Sequence, residues 1–329
     1  MHAVVAGAGS ALPETVIEND HFAGLGLTDK WISSRTGIHR RRRLAEGEKL
    51  SDLAVTASQR ALADAGLSAR EIDFVVVATL TPDRASPSLA TELGWRIDAP
   101  NCGAVDVNGA CTGFLYALDY AVAKIEAGRA TAVLVCGAEA TSRIVDPTDL
   151  VTAPLFGDGA GAIIVTGSDR PCACRISIEL ASDGSQEQIL TVRREDPVLR
   201  MDGIEVYQMA IETMVDAVVR TARAGGIPID AIDLLVPHQA NSRIVGQVAE
   251  QLGVPAERAA LYLSEIGNTS AASIPIALDL AQADGRIPPG TKVMLAAFGA
   301  GATWGAALLD WKGCLHQAPS PPSAPTPNG

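Results

Sequence analysis

Apolar and polar positions follow two different periods along the chain, and together they predict an α/β fold. Short runs that are almost wholly apolar and rich in β-branched residues, such as 72–78 and 232–238, are typical of strands covered by helices on both faces. Longer stretches between them place apolar side chains three or four positions apart, as amphipathic helices do. The clearest helix is predicted for 111–126 and ends near Gly128, because glycine readily adopts the conformation that follows a helix. Its apolar face comprises Phe114, Leu115, Leu118, Val122 and Ile125.

The order of these elements is repeated once, at a spacing of 160 residues. Four pairs of similar segments keep this spacing, which indicates an internal duplication. The pairs are Ile72–Ala78 with Ile232–His238, Gly66-Leu67 with Gly226-Ile227, Ala117–Asp119 with Ala277–Asp279, and Val133–Val135 with Val293–Leu295.

Two similar α/β halves side by side predict five layers, αβαβα, with one helix layer shared between two sheets and a pseudo-twofold axis between the halves. We expect an N-terminal half at 1–170, a C-terminal half at 171–312 and a disordered, proline-rich tail at 313–329. Phe156–Gly161 resembles Phe298–Ala302 at a spacing of only 142, so the first half carries about 18 extra residues, roughly 138–154.

Composition and charge exclude several classes of protein. Of the 329 residues, 47% are apolar and only 4% aromatic, which predicts a globular core of Ala, Val, Ile and Leu and excludes a disordered, collagen-like or disulfide-rich chain. The net charge is −12, so nucleic acid is not the expected partner. No apolar run reaches the roughly 18 residues of a membrane span.

The six cysteines are scattered, and Cys172 and Cys174 lack a second pair at zinc-site spacing, so no metal site is expected. The chain begins Met1-His2-Ala3, without the basic region of a secretory leader. From these features we expect a reduced, cytoplasmic protein with no membrane partner.

One local exception to the acidic balance is the run His39-Arg40-Arg41-Arg42-Arg43, with Arg35 just before it. Two interpretations remain open: a solvated basic loop, or a docking site for an acidic or phosphate-bearing partner. The second interpretation predicts that Arg40 to Arg43, with Arg35, bind such a partner.

Cys111 is the first candidate for chemistry. It follows a predicted strand at 103–107 and a glycine, Gly109, and it begins the helix at 111–126. The backbone N–H groups and the dipole at a helix N-terminus favour thiolate over thiol, so we expect a lowered pKa and a nucleophilic sulfur. The alternative is a small buried residue at a tight crossing.

His238 and Asn268 are the second and third candidates. His238 ends the strand at 232–238, and the carboxyl ends of parallel strands are where ligands bind. Asn268 lies in the turn that mirrors the Cys111 turn, since the 160-residue spacing places Ala271 on Cys111. The alternatives are a structural histidine and an asparagine that caps a helix. The duplication predicts that all three turns meet near the pseudo-twofold axis.

The glycine-rich runs do not indicate a nucleotide cofactor. Gly7–Ser10 lacks the further glycine and the spaced acidic residue of a dinucleotide fingerprint, and Phe156–Gly161 lacks a P-loop lysine. We therefore expect neither NAD nor ATP, and no resident cofactor.

From about Val4 to Leu309 the chain resembles β-ketoacyl-acyl-carrier-protein synthase III, a family of the thiolase superfamily. The segments that carry the resemblance are Lys30-Trp31-Ile32, Arg35–Ile38, the Cys111 turn, Phe156–Ala162, Pro237–Asn241, Gly267–Ser270 and Phe298–Gly301. The resemblance implies the duplicated five-layer thiolase fold and a homodimer, with acyl-coenzyme A or acyl-carrier thioesters and an acyl carrier protein as partners.

The resemblance also implies a role for each candidate. Cys111 would take an acyl group from a thioester, and His238 and Asn268 would bind the carbonyl of malonyl-carrier protein and stabilise the enolate formed as CO₂ leaves. The backbone N–H groups of Cys111 and Ala300 would form the oxyanion hole. The residues implied at the coenzyme A and acyl sites are Thr28, Trp31 (stacking on adenine), Arg35, Asn241, Arg243 and Ser86 (at the end of the acyl pocket).

This chain departs from the family pattern in the recognition residues. Leu150 stands where an arginine often faces the adenine, Ser86 replaces a bulky aromatic, and Gln208, Glu250 and Gln251 replace basic residues that contact the carrier. The catalytic residues of the family are retained, which predicts a decarboxylating condensing enzyme. The differing recognition residues predict that it primes a polyketide or another specialised pathway, and Ser86 predicts an acyl pocket larger than an acetyl-specific one. The alternatives are an acyltransferase that passes the Cys111-bound acyl group to an alcohol, amine or carrier thiol, and a non-catalytic carrier-binding scaffold.

Overall fold

The structure is a computed structural model that describes residues 1–169 and 175–313. The predicted domain boundary at 170/171, Cys172, Cys174 and the tail from 314 onward lie outside the described residues. The strands are β1 (His2–Ala11), β2 (Val16–Glu18), β3 (Arg40–Arg42), β4 (Phe74–Ala78), β5 (Gly103–Val107), β6 (Ala132–Ala140), β7 (Asp158–Ser168), β8 (Ser177–Ser182), β9 (Leu190–Val192), β10 (Leu199–Met201), β11 (Leu234–Pro237), β12 (Thr291–Gly299) and β13 (Thr303–Trp311). The α-helices are α1 (Asp29–Thr36), α2 (Leu50–Ala65), α3 (Leu89–Arg96), α4 (Gly113–Glu126), α5 (Gly203–Ala224), α6 (Ser242–Gln251), α7 (Leu263–Ile266) and α8 (Ser273–Ala283).

Two mixed sheets organise the five layers. The first has the order β1-β7-β6-β4-β5 and the second β11-β12-β13-β8. Helices α4 and α8 lie between the sheets, and their apolar side chains share one core with both of them. Helices α2 and α3 cover the outer face of the first sheet, and α5 and α6 cover that of the second. The predicted five-layer, duplicated architecture is confirmed.

The 160-residue spacing is exact at the centre of the molecule. A one-turn 3₁₀ helix at Ala110–Thr112 leads into α4, and its counterpart at Ser270–Ala272 leads into α8. Ala110 and Ser270, the first residues of the two turns, have the uncommon positive φ values of 46° and 49°. The two turns contact each other. The duplication therefore brings the Cys111 turn and its mirror image together, as predicted.

The two halves differ where the sequence spacing changes. The extra residues of the first half lie between β6 and β7, at 141–157, whereas the matching connection between β12 and β13 is the short turn 300–302. Strand β5 also has no full counterpart, since only a single bridge between Leu235 and Ala259 takes its place in the second sheet. Among the described residues, the structure contains no helix that is both long and apolar enough to cross a bilayer.

The basic run is structural, which corrects the prediction that it docks a partner. Arg41 is completely buried, and its guanidinium donates to the carbonyls of Ile17 (3.0 Å) and Pro154 (2.6 Å) and to Asn19 Oδ1 (2.7 Å). Arg40 on the exposed side is paired with Glu18 and Glu265.

The neighbouring arginines are also engaged, so the run is not a solvated loop either. Arg42 and Arg43 donate to carbonyls of the loops around 13–14 and 153. The guanidiniums of Arg41 and Arg43 lie over the ring of Phe22, at 4.9 and 5.7 Å from its centroid. The run therefore holds the β2–β3 region against the insertion at 141–157.

Arg41→Met is expected to lower the free energy of unfolding by about 3 kcal/mol, because it leaves three buried acceptors without a donor. Arg40→Met is the matched control, since exposed ion pairs contribute less than about 1 kcal/mol. Urea unfolding of both variants measures the difference. Equal losses from the two substitutions would contradict a structural role that is specific to Arg41.

Candidate active site

Cys111 lies between the end of β5 and the start of α4, in the 3₁₀ turn at Ala110–Thr112. Its side chain is buried and lines a cavity of about 90 Å³. The end of β12 runs directly against this turn: a Cβ on Gly299 would lie 2.9 Å from the backbone nitrogen of Cys111 and 3.0 Å from that of Thr112. Only glycine therefore allows the two backbones to approach this closely.

The structure corrects the expectation of a lowered thiol pKa. Burial, with a smaller contribution from the nearby carboxylate of Glu139, raises the pKa of Cys111 to about 12. A hydrogen-bonding contact with the Ser270 hydroxyl acts in the opposite direction but does not offset the burial. The helix N-terminus is present as predicted, but desolvation of the thiolate outweighs the helix in this pocket. Cys111 is therefore a neutral thiol near pH 7.

His238 follows β11 directly and faces the same cavity. Its backbone N–H donates to Ala296 O at 2.7 Å, which continues the pairing of β11 with β12. Burial lowers the pKa of the imidazole to about 4, so the ring is neutral near pH 7. His238 therefore acts as a hydrogen-bonding group and not as a cation.

The position of Ser273 determines which nitrogen of His238 faces the cavity. Ser273 Oγ, at the start of α8, is 2.6 Å from His238 Nδ1 and also accepts from the Gln239 N–H at 3.3 Å. Because that N–H already donates to the oxygen, we infer that the hydroxyl proton is directed to Nδ1. Nε2 then carries the ring proton and is left to donate to a ligand.

The hydrogen bonds of Asn268 likewise orient its amide. Asn268 Oδ1 accepts from the Ser270 N–H at 2.9 Å, so the NH₂ group is left to donate into the cavity. The backbone of Asn268 is held on both sides, since its N–H donates to Leu155 O and its carbonyl accepts from the Gly157 N–H, both at 2.9 Å. Asn268 and His238 thus present two neutral donors to the cavity that Cys111 also lines.

The rest of the cavity is mainly apolar. Its wall is formed by residues from the insertion, the β9–β10 hairpin, α5, α6 and the end of β12, which are Leu155, Phe156, Leu190, Met201, Val206, Tyr207, Ala210, Met214, Ala240, Ile244 and Phe298. Such a lining, with a few convergent polar groups at the inner end, is typical of a ligand site.

The residues that the resemblance implied for coenzyme A lie on two contacting helices. Asn241 lines the cavity and caps α6 by accepting from the Arg243 N–H at 2.9 Å, while Arg243 reaches Ser34 O on α1 at 3.2 Å. Trp31 on α1 is 38% exposed, and the Arg35 guanidinium lies 4.5 Å from its ring centroid.

Three other predicted residues, Thr28, Ser86 and Ala300, are not among the residues that line the cavity. Thr28 caps α1 by accepting from the Trp31 N–H at 3.2 Å. Ser86 is exposed and lies outside the cavity of this chain. Ala300, at the turn after β12, packs with residues of the cavity wall, among them Phe156 and Met201.

Sequence reasoning missed Glu139 and Ser270. Glu139 is fully buried on β6, where it accepts from the Thr81 hydroxyl, from the Leu80 N–H at 3.2 Å and from the Ser270 hydroxyl at 3.2 Å. A signal was available, because Glu139 is the only charged residue in the nine-residue apolar stretch 132–140.

The fold defines a class: a duplicated five-layer sandwich of two mixed sheets and three helix layers is the thiolase fold, and in this chain a cysteine, a histidine and an asparagine line one cavity of it. Two family models match the chain: 3-oxoacyl-[acyl-carrier-protein] synthase III at residues 105–184, and the C-terminal part of 3-oxoacyl-[acyl-carrier-protein] synthase III at 222–311.

Individual proteins agree with these matches. The chain is 44% identical over 322 residues to β-ketoacyl-[acyl-carrier-protein] synthase III of Bordetella petrii, covering 93% of this chain and 97% of the relative. The crystal structure of 3-oxoacyl-[acyl-carrier-protein] synthase III from Aquifex aeolicus superposes with a TM-score of 0.91 at 38% identity, covering 94% of this chain and 100% of that structure. The crystal structure of the priming β-ketosynthase from the R1128 polyketide pathway superposes with a TM-score of 0.89 at 33% identity, covering 94% of this chain and 97% of that structure. The chain belongs to the β-ketoacyl-[acyl-carrier-protein] synthase III family of enzymes.

Proposed function

We propose that this enzyme loads an acyl group from a thioester onto Cys111 and then joins it to a malonyl-carrier thioester with loss of CO₂. The observation that carries the proposal is the placement of Cys111, His238 and Asn268 around one apolar cavity. A buried nucleophile beside two neutral donors suits both a covalent acyl intermediate and an enolate, the two species that this reaction requires.

In the first half-reaction the Cys111 sulfur attacks the carbonyl carbon of the acyl thioester. The new C–S bond to Cys111 forms, the C–S bond to the pantetheine arm breaks, and the departing thiolate takes up a proton as free thiol. The backbone N–H groups of Cys111 and Ala300 are the proposed donors to the oxyanion of the tetrahedral intermediate. The close approach of the β12 end to the Cys111 turn supports this pairing.

In the second half-reaction the malonyl thioester carbonyl accepts hydrogen bonds from His238 Nε2 and the Asn268 NH₂ group. The bond to the carboxylate breaks, CO₂ leaves, and the electron pair becomes an enolate on the thioester. Its carbon attacks the acyl group on Cys111, and the Cys111 thiolate is the leaving group. The two donors are neutral and fixed by Ser273 and Ser270, so they favour the transition state, where charge develops, over the neutral ground state.

A pantetheine arm fits the route to Cys111. The cavity is narrow and apolar, and its outer end meets α6 at Asn241 and the contact of α6 with α1. Arg243 and the Arg35–Trp31 pair at this contact offer two cations and an aromatic face for the phosphates and adenine of coenzyme A. Arg35 already covers one face of Trp31, so we propose that adenine stacks on the other face or on the guanidinium.

We propose a homodimer in which β5 pairs with β5 of a second copy. Among the described strands, β5 pairs only with β4, so its other edge is open. Asp106 on β5 accepts from the Leu89 and Ala90 N–H groups, both at 2.7 Å, and so holds the loop that contains Ser86 beside this edge. A second copy on that edge would receive the Ser86 loop, which supports the implied role of Ser86 in an acyl pocket although Ser86 is outside the cavity of its own chain.

Ser86→Phe is expected to shift donor preference toward acetyl, because a ring in place of the hydroxymethyl group shortens the pocket. Each buried methylene contributes about 0.8 kcal/mol, so the ratio of kcat/KM for a six-carbon donor to that for acetyl-CoA should fall by roughly tenfold or more. Ala85→Phe, on the same exposed loop, is the control. If acetyl-CoA is already the best donor of the parent enzyme, the larger pocket is excluded.

The groove between α5 and α6, next to the cavity, supports a role in a specialised pathway. Gln208 and Gln251 line a groove between α5 and α6 together with Glu212 and Asp216, and Glu250 is exposed nearby. An acidic carrier would meet neutral and acidic side chains there, and the buried basic run offers no replacement. We therefore propose a carrier, or a coenzyme A thioester, other than that of housekeeping fatty acid synthesis.

Product analysis tests the proposed function against plain acyl transfer. The enzyme is incubated with a panel of acyl-CoA donors and with malonyl thioesters of carrier protein and of coenzyme A. Condensation predicts one CO₂ released for each β-ketoacyl product, detected by mass. Transfer of the acyl group to an added alcohol, amine or carrier thiol without CO₂ would instead establish the acyltransferase alternative.

A further inference from the structure

Glu139 is a buried carboxyl group that takes part in neither of the two half-reactions described above. It lies on β6, fully buried, in a strand whose other members are apolar or glycine. Three protein groups donate to it: the Thr81 hydroxyl, the Leu80 N–H and the Ser270 hydroxyl. Thr81 is fixed in turn, because its oxygen accepts from the Ala140 N–H at 2.8 Å. Burying a carboxyl group costs free energy even when it is hydrogen-bonded, so its presence here suggests a specific role.

Ser270 connects this carboxyl group to the nucleophile. Its hydroxyl donates to Glu139 Oε1 at 3.2 Å and also contacts Cys111, where it lowers the pKa of the thiol. Because the hydroxyl proton is directed to Glu139, the lone pairs of the same oxygen are available to the Cys111 S–H. The uncommon φ of 49° at Ser270 places the hydroxyl between the two groups.

We propose that Glu139 accepts the proton of Cys111 through the hydroxyl of Ser270. The S–H bond of Cys111 breaks as Ser270 Oγ takes the proton and passes its own proton to Glu139 Oε1. The thiolate then forms the C–S bond to the acyl carbonyl, the departing pantetheine thiolate leaves as free thiol, and Glu139 returns to its carboxylate form. Glu139 touches neither substrate nor sulfur, so it acts through Ser270. This inference rests on the proposed role of Cys111 as nucleophile.

The charges around Glu139 favour this role. Burial raises the pKa of Glu139 to about 7, opposed by the hydrogen bonds that it accepts, and no charged neighbour is among the main causes. Cys136 on the same strand is a buried thiol with its pKa raised to about 12. Asp158 on β7 and Asp83 after β4 are bonded to other partners. Cys111, across Ser270, is the titratable group on which Glu139 acts.

The neutral state of His238 removes the other candidate acceptor. The pKa of its imidazole is lowered to about 4 by burial, and Ser273 occupies Nδ1. A group with so low a pKa holds a proton from a thiol poorly. The pKa of Glu139 is about 7, so this carboxyl group can both accept and release a proton near neutral pH.

The rate of Cys111 alkylation by iodoacetamide as a function of pH tests the relay. This reagent needs the thiolate but no acyl donor, and peptide mass spectrometry separates Cys111 from Cys136. In the wild-type enzyme ionised Glu139 takes the proton as the sulfur attacks, so this route follows the ionised fraction of Glu139 and levels off above about pH 7. Thiolate formed by loss of the proton to solvent adds a second rate that keeps rising with pH, because the pKa of Cys111 is about 12.

Glu139→Gln is expected to lower the rate at about pH 7 by about tenfold or more, because the thiol can then ionise only by losing its proton to solvent. Without a relay the same substitution would raise the rate, since the Glu139 carboxylate raises the pKa of the Cys111 thiol. Ser270→Ala should also lower the rate while keeping the carboxyl group, and alanine is accommodated because Ala110 holds the mirrored position at φ 46°. Glu139→Asp should restore the rate at about pH 7 at least in part.

Glu92→Gln, a change of the same chemistry at a carboxylate of α3 that is 15% exposed, is the matched control and should keep the wild-type profile. An unchanged or higher rate at about pH 7 in Glu139→Gln or Ser270→Ala would overturn the relay. A loss of rate with an unchanged profile would also overturn it, because that is what a purely structural role predicts. If the relay behaves as expected but no thioester acylates Cys111, the proposed function fails and the relay stands.

Discussion

Replacing Cys111 with alanine is expected to abolish covalent acylation and to lower the overall rate by about 10⁴-fold or more, since nucleophile and donors act as a unit. The sulfur is the only group of the cavity that can form a thioester, and it lies where the apolar cavity meets the two donors His238 and Asn268. Intact-protein mass after incubation with acyl-CoA donors measures the effect. The wild-type enzyme should gain one acyl group, and Cys111→Ala none.

Cys136→Ala is the matched control for this experiment. Cys136 is also fully buried, and its pKa is also raised to about 12, but it lies in the core of the first half, outside the cavity. The variant should take up an acyl group as the wild-type enzyme does. A stable adduct on Cys111→Ala, mapped to any other residue, would show that the nucleophile is misassigned.

The fold could be predicted from the sequence because the duplication is visible there. A single spacing of 160 residues relates the two turns at Ala110–Thr112 and Ser270–Ala272, and α4 and α8 begin one residue after each turn. Conserved spacing of strand, turn and helix constrains the backbone strongly, so the layers follow. The insertion lies about three residues further along the chain than the predicted 138–154, since Phe156 resembles Phe298 in sequence but lies within the connection 141–157, whereas Phe298 lies on β12.

The three residues of the site could be predicted for the same reason, whereas the protonation state of Cys111 could not. A helix N-terminus is recognisable in a sequence, but the desolvation of a thiol depends on every layer packed around it. The structure shows that burial is the larger effect, and the pKa rises to about 12 instead of falling. Glu139 and Ser270 were missed because the hydrogen bond that joins them connects residues 131 positions apart in the chain, and no sequence pattern indicates it.

For the basic run at Arg40 to Arg43, the sequence predicted a surface role, whereas the structure shows that Arg41 is buried. Arginines that are adjacent in sequence suggest a charged surface, yet in a short strand alternate side chains point in opposite directions. Arg41 therefore points inward to carbonyls of the insertion, while Arg40 points outward to carboxylates. Sequence alone does not reveal these acceptors, because they belong to segments up to 113 positions away.

Asn268→Ala is expected to lower decarboxylation of the malonyl thioester by about 10²- to 10³-fold while changing acylation of Cys111 by less than about threefold. Its NH₂ group is the donor that remains once Oδ1 accepts from Ser270, and a donor of this kind is needed when the enolate forms. Release of labelled CO₂ from malonyl thioester measures one half-reaction, and intact-protein mass with acyl-CoA measures the other.

A second variant separates the loss of this donor from damage to the turn. Asn268→Asp keeps an oxygen that can accept from the Ser270 N–H but replaces the NH₂ donor with a carboxylate oxygen, which repels an enolate. It should therefore preserve acylation and lose decarboxylation at least as severely as Asn268→Ala. His238 stays neutral well below pH 7 because its pKa is lowered to about 4, so its titration should not reduce wild-type decarboxylation between about pH 8 and about pH 5.5. Equal losses in both half-reactions for the two Asn268 variants would contradict the division of labour and favour plain acyl transfer from Cys111.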